Sequence, residues 1–145
     1  CAGFPEGHIA CKEGKLVDWQ RLKEKIDAGA DFVITQLFFD NADYFEFRDH
    51  LTKLGVTVPL VPGLISILSV PAIRKFSQIC GARIPAALNA KLDTLADDAA
   101  ATEFGIEYCT KQCEELLKAG VPGLHFYTLN KAHSTVRVVK NLGLA

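Results

Sequence analysis

The chain has no methionine and a single tryptophan. Neither sign of charge is in excess: 16 Lys and Arg face 17 Asp and Glu, for a net charge of −1. That balance gives no electrostatic case for binding a nucleic-acid backbone or an anionic membrane. No apolar run is long enough to span a bilayer, because Val56 to Ile73 is interrupted by Pro59, Pro62 and Pro71. The N-terminus has no basic region followed by an apolar stretch, so no secretory leader is expected. The five cysteines are an odd number without framework spacing, which excludes a disulfide scaffold and points to a reducing, cytoplasmic setting. No His or second Cys pair stands at zinc spacing, and no G-x-S-x-G elbow or G-x-G-x-x-G phosphate turn is present.

What is present suits one globular domain of 145 residues, 15.8 kDa. A chain of this size buries ~70% of its unfolded surface without staples. It opens on Cys1-Ala2-Gly3, which reads as the end of a strand. With no methionine at its head, it is expected to have further residues upstream.

A strand-then-helix alternation runs through the chain. Leu16, Trp19, Leu22 and Ile26 mark one helix face, and Gly29 stops it. Phe32 to Phe39 is a strand apolar on both faces, as buried parallel strands are. Asp40 or Asn41 caps the next helix, striped by Tyr44, Phe47, Leu51 and Leu54 and ended by Gly55. Val58 to Leu64 is the third strand, weakened by its prolines. Ser69 caps a helix over Val70 to Cys80, and a shorter helix covers Pro85 to Leu92. A long helix runs from Asp97 or Asp98 to Ala119. Leu124 to Leu129 is the last strand, and Asn130 caps a final helix ending near Gly143.

This order predicts an α/β fold with a parallel sheet and helical crossovers. Two forms compete, an open doubly wound sheet and a (β/α)8 barrel. The first wants a glycine-rich turn that is missing. The second typically needs ~250 residues, so the chain would be about half of one.

In a barrel, chemistry collects at the C-terminal ends of the strands. Those positions are Gly3 to His8, Thr35-Gln36, Pro62 to Leu64, and His125 to Lys131. Gln36 shares a strand face with Ile34 and Phe38. It is either a satisfied core amide or a carboxamide for a heterocycle showing donors and acceptors, such as a pterin or flavin, and the pattern does not choose. His8 sits in a Pro/Gly turn. Alone it is an exposed loop histidine; beside Phe4 and Glu6 it suits a phosphate or ribityl contact. Asp18 and Lys25 fall on the polar side of a helix, where solvated charges are the default. Cys109 and Cys113 lie on an apolar helix face and read as buried hydrophobes.

Five segments taken together carry a resemblance: Ala2-Gly3-Phe4-Pro5-Glu6-Gly7-His8, Asp27 to Asp31, Ile34-Thr35-Gln36-Leu37-Phe38-Phe39-Asp40, Val61-Pro62-Gly63 and His125 to Asn130. In order and spacing the chain resembles the methylenetetrahydrofolate reductase family over essentially its whole length. The resemblance implies that residues 1–145 are the C-terminal half (strands 5–8) of one (β/α)8 TIM-barrel catalytic domain. It implies a cytoplasmic flavoprotein oxidoreductase of one-carbon and methionine metabolism. In such an enzyme NAD(P)H reduces bound FAD, and the flavin reduces 5,10-methylenetetrahydrofolate to 5-methyltetrahydrofolate. A homo-oligomer is implied for the complete enzyme.

Residue by residue, Phe4, His8, Asp18 and Lys25 match FAD-lining positions, and Gln36 matches the folate-binding glutamine of the second strand seen here. Phe4 replaces a tyrosine common in the family, which keeps the stacking surface without the hydroxyl. Lys131 stands where arginine is usual, so the charge remains without the bidentate fork. Ala72 falls near a second substrate-binding glutamine of some members. The family's proton-donating glutamate comes from the first barrel strand and its flavin-tuning aspartate from the loop after the fourth. Neither segment is among these residues, so the fragment alone is expected to be inactive. The alternatives are a non-catalytic half-barrel and a different barrel enzyme for a pterin-like ligand.

Overall fold

A computed structural model describes residues 1–145. The expected alternation is present as β1 (Ala2–Gly3), α1 (Lys15–Asp27), β2 (Val33–Thr35), α2 (Asn41–Lys53), β3 (Leu60–Val61), β4 (Gly63–Leu64), α3 (Val70–Cys80), α4 (Ala86–Asp93), α5 (Asp98–Lys118), β5 (His125–Phe126) and α6 (Ala132–Asn141). All strand pairs are parallel. Gly3 pairs with Thr35 and Ile34 with Val61, giving the order β1-β2-β3, while Gly63 pairs with His125 in a β4-β5 pair. Neighbours in space are thus neighbours in sequence, and every strand's C-terminal end faces the same way.

The third predicted strand, Val58 to Leu64, is two short strands. Pro62 has no N–H to donate, so the ladder changes partner across it. Residues before it pair back with β2, and those after it pair forward with β5. A side chain bridges the break: Thr35 Oγ1 accepts from Gly63 N–H at 2.9 Å. Tyr127 O–H donates to Thr35 O at 2.8 Å. Only glycine fits at position 63, since a Cβ there would lie 2.2 Å from Thr35 O.

The predicted strand Phe32 to Phe39 keeps its ladder only over Val33–Thr35. Gln36 N–H still donates to Gly3 O at 2.7 Å. The Gln36 carboxamide then accepts from Leu37 N–H at 2.9 Å and draws the chain out of the sheet. The side-to-side alternation that put Gln36 with Ile34 and Phe38 therefore stops at Gln36. Leu37, Phe38 and Phe39 are buried all the same. Leu16 is a second departure. At ~100° per residue it lies at the margin of the Trp19, Leu22, Ile26 stripe, and it is exposed. Third, Leu124 to Leu129 pairs only at His125–Phe126. Asn130 does not cap the last helix; it takes a left-handed φ of 62°, and Lys131 becomes the cap residue. Asparagine tolerates that conformation, and Lys131 N–H closes the turn onto Thr128 O at 2.8 Å.

The caps read from sequence at Asp40 and Asp97 form, to Ala42 N–H and Ala100 N–H. Ser69 occupies the predicted cap position of α3 without a side-chain cap bond. The core has three parts. One joins α1, α2 and β2 around Trp19 and Phe47, and one joins Phe38, Tyr44 and Leu64 to α5. The third sets Leu37, Ile65 and Ile67 against α3 and α4. Cys109 and Cys113 are buried thiols in the second part, and all five cysteines are unpaired. The Cys109 thiol is held well above its ordinary value by its hydrogen bond with Cys113 and by burial, so it packs as a neutral group. No helix is long and apolar enough to cross a membrane.

Candidate functional site

Three loops leave the C-terminal ends of the strands and carry the polar residues singled out in the sequence. The first follows β1. Gly7 N–H donates to Phe4 O at 2.9 Å, which closes a turn over Phe4-Pro5-Glu6-Gly7. Trp19, on the buried face of α1, pins that turn by donating from Nε1 to Phe4 O at 2.8 Å. Gly7 has a φ of +83°, and a Cβ there would lie 2.9 Å from Lys15 Cα. Both facts demand glycine.

The turn delivers Phe4, His8 and Asp18 to one place. Asp18, in the first turn of α1, accepts from His8 N–H at 3.1 Å. The Phe4 and His8 rings meet edge-on, 4.5 Å between centroids. His8 Nδ1 accepts from Ala10 N–H at 3.0 Å, which in the neutral ring puts the proton on Nε2 and leaves it as an outward donor. Asp18 is therefore not the merely solvated charge that its helix position suggested. Lys25 lies seven residues further along α1, about 10 Å at ~1.5 Å per residue. It is exposed. Its neighbours Lys15, Arg21 and Lys23 are paired with Glu46, Glu13 and Asp27, whereas Lys25 is in no ion pair.

The second loop follows β2 and carries Gln36, half-buried beside the first. A narrow cavity of about 10 Å³ is lined by Phe4, Glu6, Gln36 and Cys80, so Gln36 and the Phe4 turn share a wall. With Oε1 committed to Leu37 N–H, the carboxamide's free group is its Nε2 donor.

The third region follows β4 and β5. A cavity of about 210 Å³ is lined by apolar residues that include Ala72, Phe76 and Leu129, and by the exposed Asp98 and Lys131. Lys131 and Ala72 thus line one cavity, and Gln36 lines another. Leu129 is strained there, with a φ of 48°.

One tie was not foreseen. Arg83, in the segment between α3 and α4, donates its backbone N–H to both Glu6 carboxylate oxygens at 3.1 Å. Its guanidinium reaches Glu6 at 3.6 Å, Asp43 at 2.8 Å and Asp40 at 3.8 Å. One side chain therefore links the Phe4 turn, the start of α2 and the α3–α4 segment. Burial raises the Glu6 carboxyl above the ordinary carboxylate range, and the Arg83 N–H bonds work against that rise. Burial likewise raises Asp43, opposed by the Arg83 charge.

A family model described as methylenetetrahydrofolate reductase matches residues 1–143. The chain belongs to the methylenetetrahydrofolate reductase family. Over 152 residues it is 36% identical to "Methylenetetrahydrofolate reductase (NADH) 1" of Arabidopsis thaliana, covering 99% of this chain and 26% of that protein. Over 146 residues it is 37% identical to "Probable methylenetetrahydrofolate reductase (NADPH)" of Caenorhabditis elegans, covering 99% and 22%. Over 144 residues it is 35% identical to "5,10-methylenetetrahydrofolate reductase" of Escherichia coli K12, covering 99% and 48%. The chain thus spans less than half the length of these reductases. A solved structure of an uncharacterized protein from Clostridium thermocellum, described as binding two copies of 5-methyl-5,6,7,8-tetrahydrofolic acid, shares the fold. Its TM-score is 0.69 at 17% identity, over 97% of this chain and 51% of that one.

Within this reductase-family chain, two features of the site had only faint sequence signals. Glu6 lies in the Ala2-to-His8 segment, but Arg83 is 77 residues away and nothing local marks the pair. Ser66 sits in an apolar run, Leu64-Ile65-Ser66-Ile67-Leu68, where a lone hydroxyl is easily passed over.

Proposed function

We propose that residues 1–145 form the C-terminal half, strands 5–8, of the (β/α)8 catalytic domain of a methylenetetrahydrofolate reductase. The activity is reduction of 5,10-methylenetetrahydrofolate to 5-methyltetrahydrofolate by NAD(P)H, with FAD as the intermediate carrier. The observation that carries this reading is topological. Parallel strands in sequential order send the Phe4–His8–Asp18 turn, Gln36 and Lys131 to the same end, where a barrel gathers its chemistry.

The residues present fit FAD. Phe4 offers a half-buried ring face beside His8, whose Nε2 is a free donor. Lys25 is the one cation on the same helix as Asp18 that is left without a carboxylate, which suits an anionic diphosphate. Asp18 holds the His8 turn and has acceptor capacity left for a hydroxyl. The flavin, when bound, supplies two-electron redox chemistry, and the protein supplies position and charge. Gln36 Nε2 then faces the folate as a donor. Lys131 at the edge of the larger cavity pairs with a carboxylate of the substrate. The NADH and NADPH names of relatives support a nicotinamide donor.

The test is spectroscopic and kinetic. Purified at its full natural length, the protein is expected to carry flavin absorbance that bleaches with NADH or NADPH and recovers on adding methylenetetrahydrofolate. A colourless protein that neither retains added FAD nor oxidises a nicotinamide would overturn the reading.

A further inference from the structure

The ladder changes partner at Pro62, so β2 and β5 lie in different sheets and are not paired with each other. One side chain crosses that break. Tyr127 follows β5, and its N–H donates to Leu64 O of β4 at 2.8 Å. Its phenol O–H donates to the carbonyl of Thr35, the last residue of β2, at 2.8 Å. The backbone of Tyr127 thus belongs to one sheet and its hydroxyl to the other.

What the phenol holds is the peptide group that leads into Gln36. That group is planar, so Thr35 O and Gln36 N–H move together. Tyr127 takes one end of it, and Gly3 O takes the other, accepting from Gln36 N–H at 2.7 Å. With both ends tied, the direction in which the Gln36 side chain leaves the sheet is set. Its Oε1 then closes onto Leu37 N–H at 2.9 Å, and Nε2 is the group left over. Tyr127 lines neither the cavity of Gln36 nor that of Lys131, so it has no contact of its own to offer an occupant there.

The ring is held independently of its hydroxyl. It packs in the third part of the core and meets His125 edge-on, 4.8 Å between centroids. It lies so close to Gly63 that a Cβ there would be 2.7 Å from Tyr127 Cε2. Burial raises the phenol above its ordinary value, so it stays a donor at neutral pH. Thr35 is fully buried, so a carbonyl released by the phenol has no solvent to turn to.

We propose that Tyr127 is a positioning residue for the substrate: through the peptide between Thr35 and Gln36 it holds the carboxamide in the direction in which Nε2 meets the folate. This inference rests on the folate-binding role given to Gln36 above.

The test is Tyr127→Phe in the full-length protein, which removes the hydroxyl and keeps the ring. The unliganded peptide then samples other orientations, and binding must first restore the productive one. The loss is at most that of one hydrogen bond, so affinity for 5-methyltetrahydrofolate in a calorimetric titration is expected to fall about 2- to 10-fold. The deciding readout is the same substitution in a Gln36→Ala background, followed as kcat/KM for methylenetetrahydrofolate. Without the carboxamide nothing is left to position, and Tyr127→Phe should change that value by less than about twofold. An equal loss in both backgrounds, as a general loosening of the fold would give, overturns the proposal. Unchanged affinity in Tyr127→Phe beside a weakened Gln36→Ala overturns the role of Tyr127 and leaves the folate reading standing. A measurement without any variant stands in if Tyr127→Phe does not fold. In the unliganded parent the Leu37 amide, bonded to the placed carboxamide, should be protected from hydrogen exchange, and fast exchange there overturns the proposal. Full affinity in Gln36→Ala, or no binding of 5-methyltetrahydrofolate by the parent, overturns the folate reading itself.

Discussion

Gln36 allows a prediction in which the fold and the chemistry separate. The carboxamide has two ends with different employment. Oε1 accepts from Leu37 N–H at 2.9 Å, and Leu37 is fully buried, so that bond belongs to the fold. Nε2 is the free donor at the wall shared with Phe4. Gln36→Glu keeps an oxygen for Leu37 N–H, removes the donor and adds a carboxylate to the wall shared with Glu6. Gln36→Ala deletes both. Leaving a buried group of the folate unpaired costs about 1–3 kcal/mol, which is roughly a 5- to 150-fold loss in hydride transfer to methylenetetrahydrofolate. Both variants are expected to show that loss while flavin reduction by NAD(P)H stays within about threefold of the parent. Gln36→Ala is expected to melt lower, by ~1 kcal/mol or more, because Leu37 N–H is left without an acceptor. Stopped-flow spectroscopy of the two half-reactions, with melting curves for each variant, measures all three quantities. Equal slowing of both half-reactions, or FAD lost on purification, would refute the assignment. So would a Gln36→Glu variant that keeps full folate turnover.

The Arg83 clasp predicts a pH signature. Burial raises Glu6 and Asp43 in the folded state, so the folded protein holds more protons than the unfolded chain from about pH 4 up to those raised values. Stability contributed by these groups is therefore greatest at acid pH and declines as pH rises through that window. Glu6→Gln should flatten the decline, and Arg83→Ala, which removes the opposing charge, should extend it to higher pH; urea titrations across pH check both. Gly105→Ala is expected to destabilise by about 2 kcal/mol or more despite the helix propensity of alanine, since its Cβ would overlap Ile67 O. Gly123→Ala, where a Cβ would meet nothing within 4 Å, serves as its near-neutral control in the same denaturant series. The 145 residues expressed alone are expected to show no NAD(P)H oxidation dependent on methylenetetrahydrofolate, because the outer strands β1 and β5 keep unpaired edges. Steady turnover by that fragment would refute the half-barrel reading.

The alternation of elements was legible because its signals are local. Trp19, Leu22 and Ile26 repeat at helical spacing, and Asp40 and Asp97 stand one residue before their helices. Glycines 29, 55 and 143, the stops read from the sequence, take a positive φ just after α1, α2 and α6. Strand lengths were not legible. A strand is defined by its partner's hydrogen bonds, and two local events cut the ladders. Pro62 withheld a donor, and the Gln36 side chain took the N–H of Leu37 before a neighbouring strand could. Composition favours strand across Phe32 to Phe39, but it carries no information about that competition.

The site divides along the same line. His8 and Asp18 are ten residues apart, across one turn and the start of one helix, and the resemblance gave each as an FAD-lining position without the hydrogen bond that joins them. Charge pattern alone called Asp18 solvated, because an amphipathic helix shows which face is polar and not what folds back over it. Arg83 and Ser66 needed the tertiary structure. Arg83 reaches Glu6, Asp40 and Asp43 only after the segment between α3 and α4 lies across the first two loops. Ser66 Oγ is buried without a partner, and no sequence pattern records a missing partner. A hydroxyl among apolar residues reads as a tolerated small side chain until the neighbours that ought to satisfy it are found elsewhere.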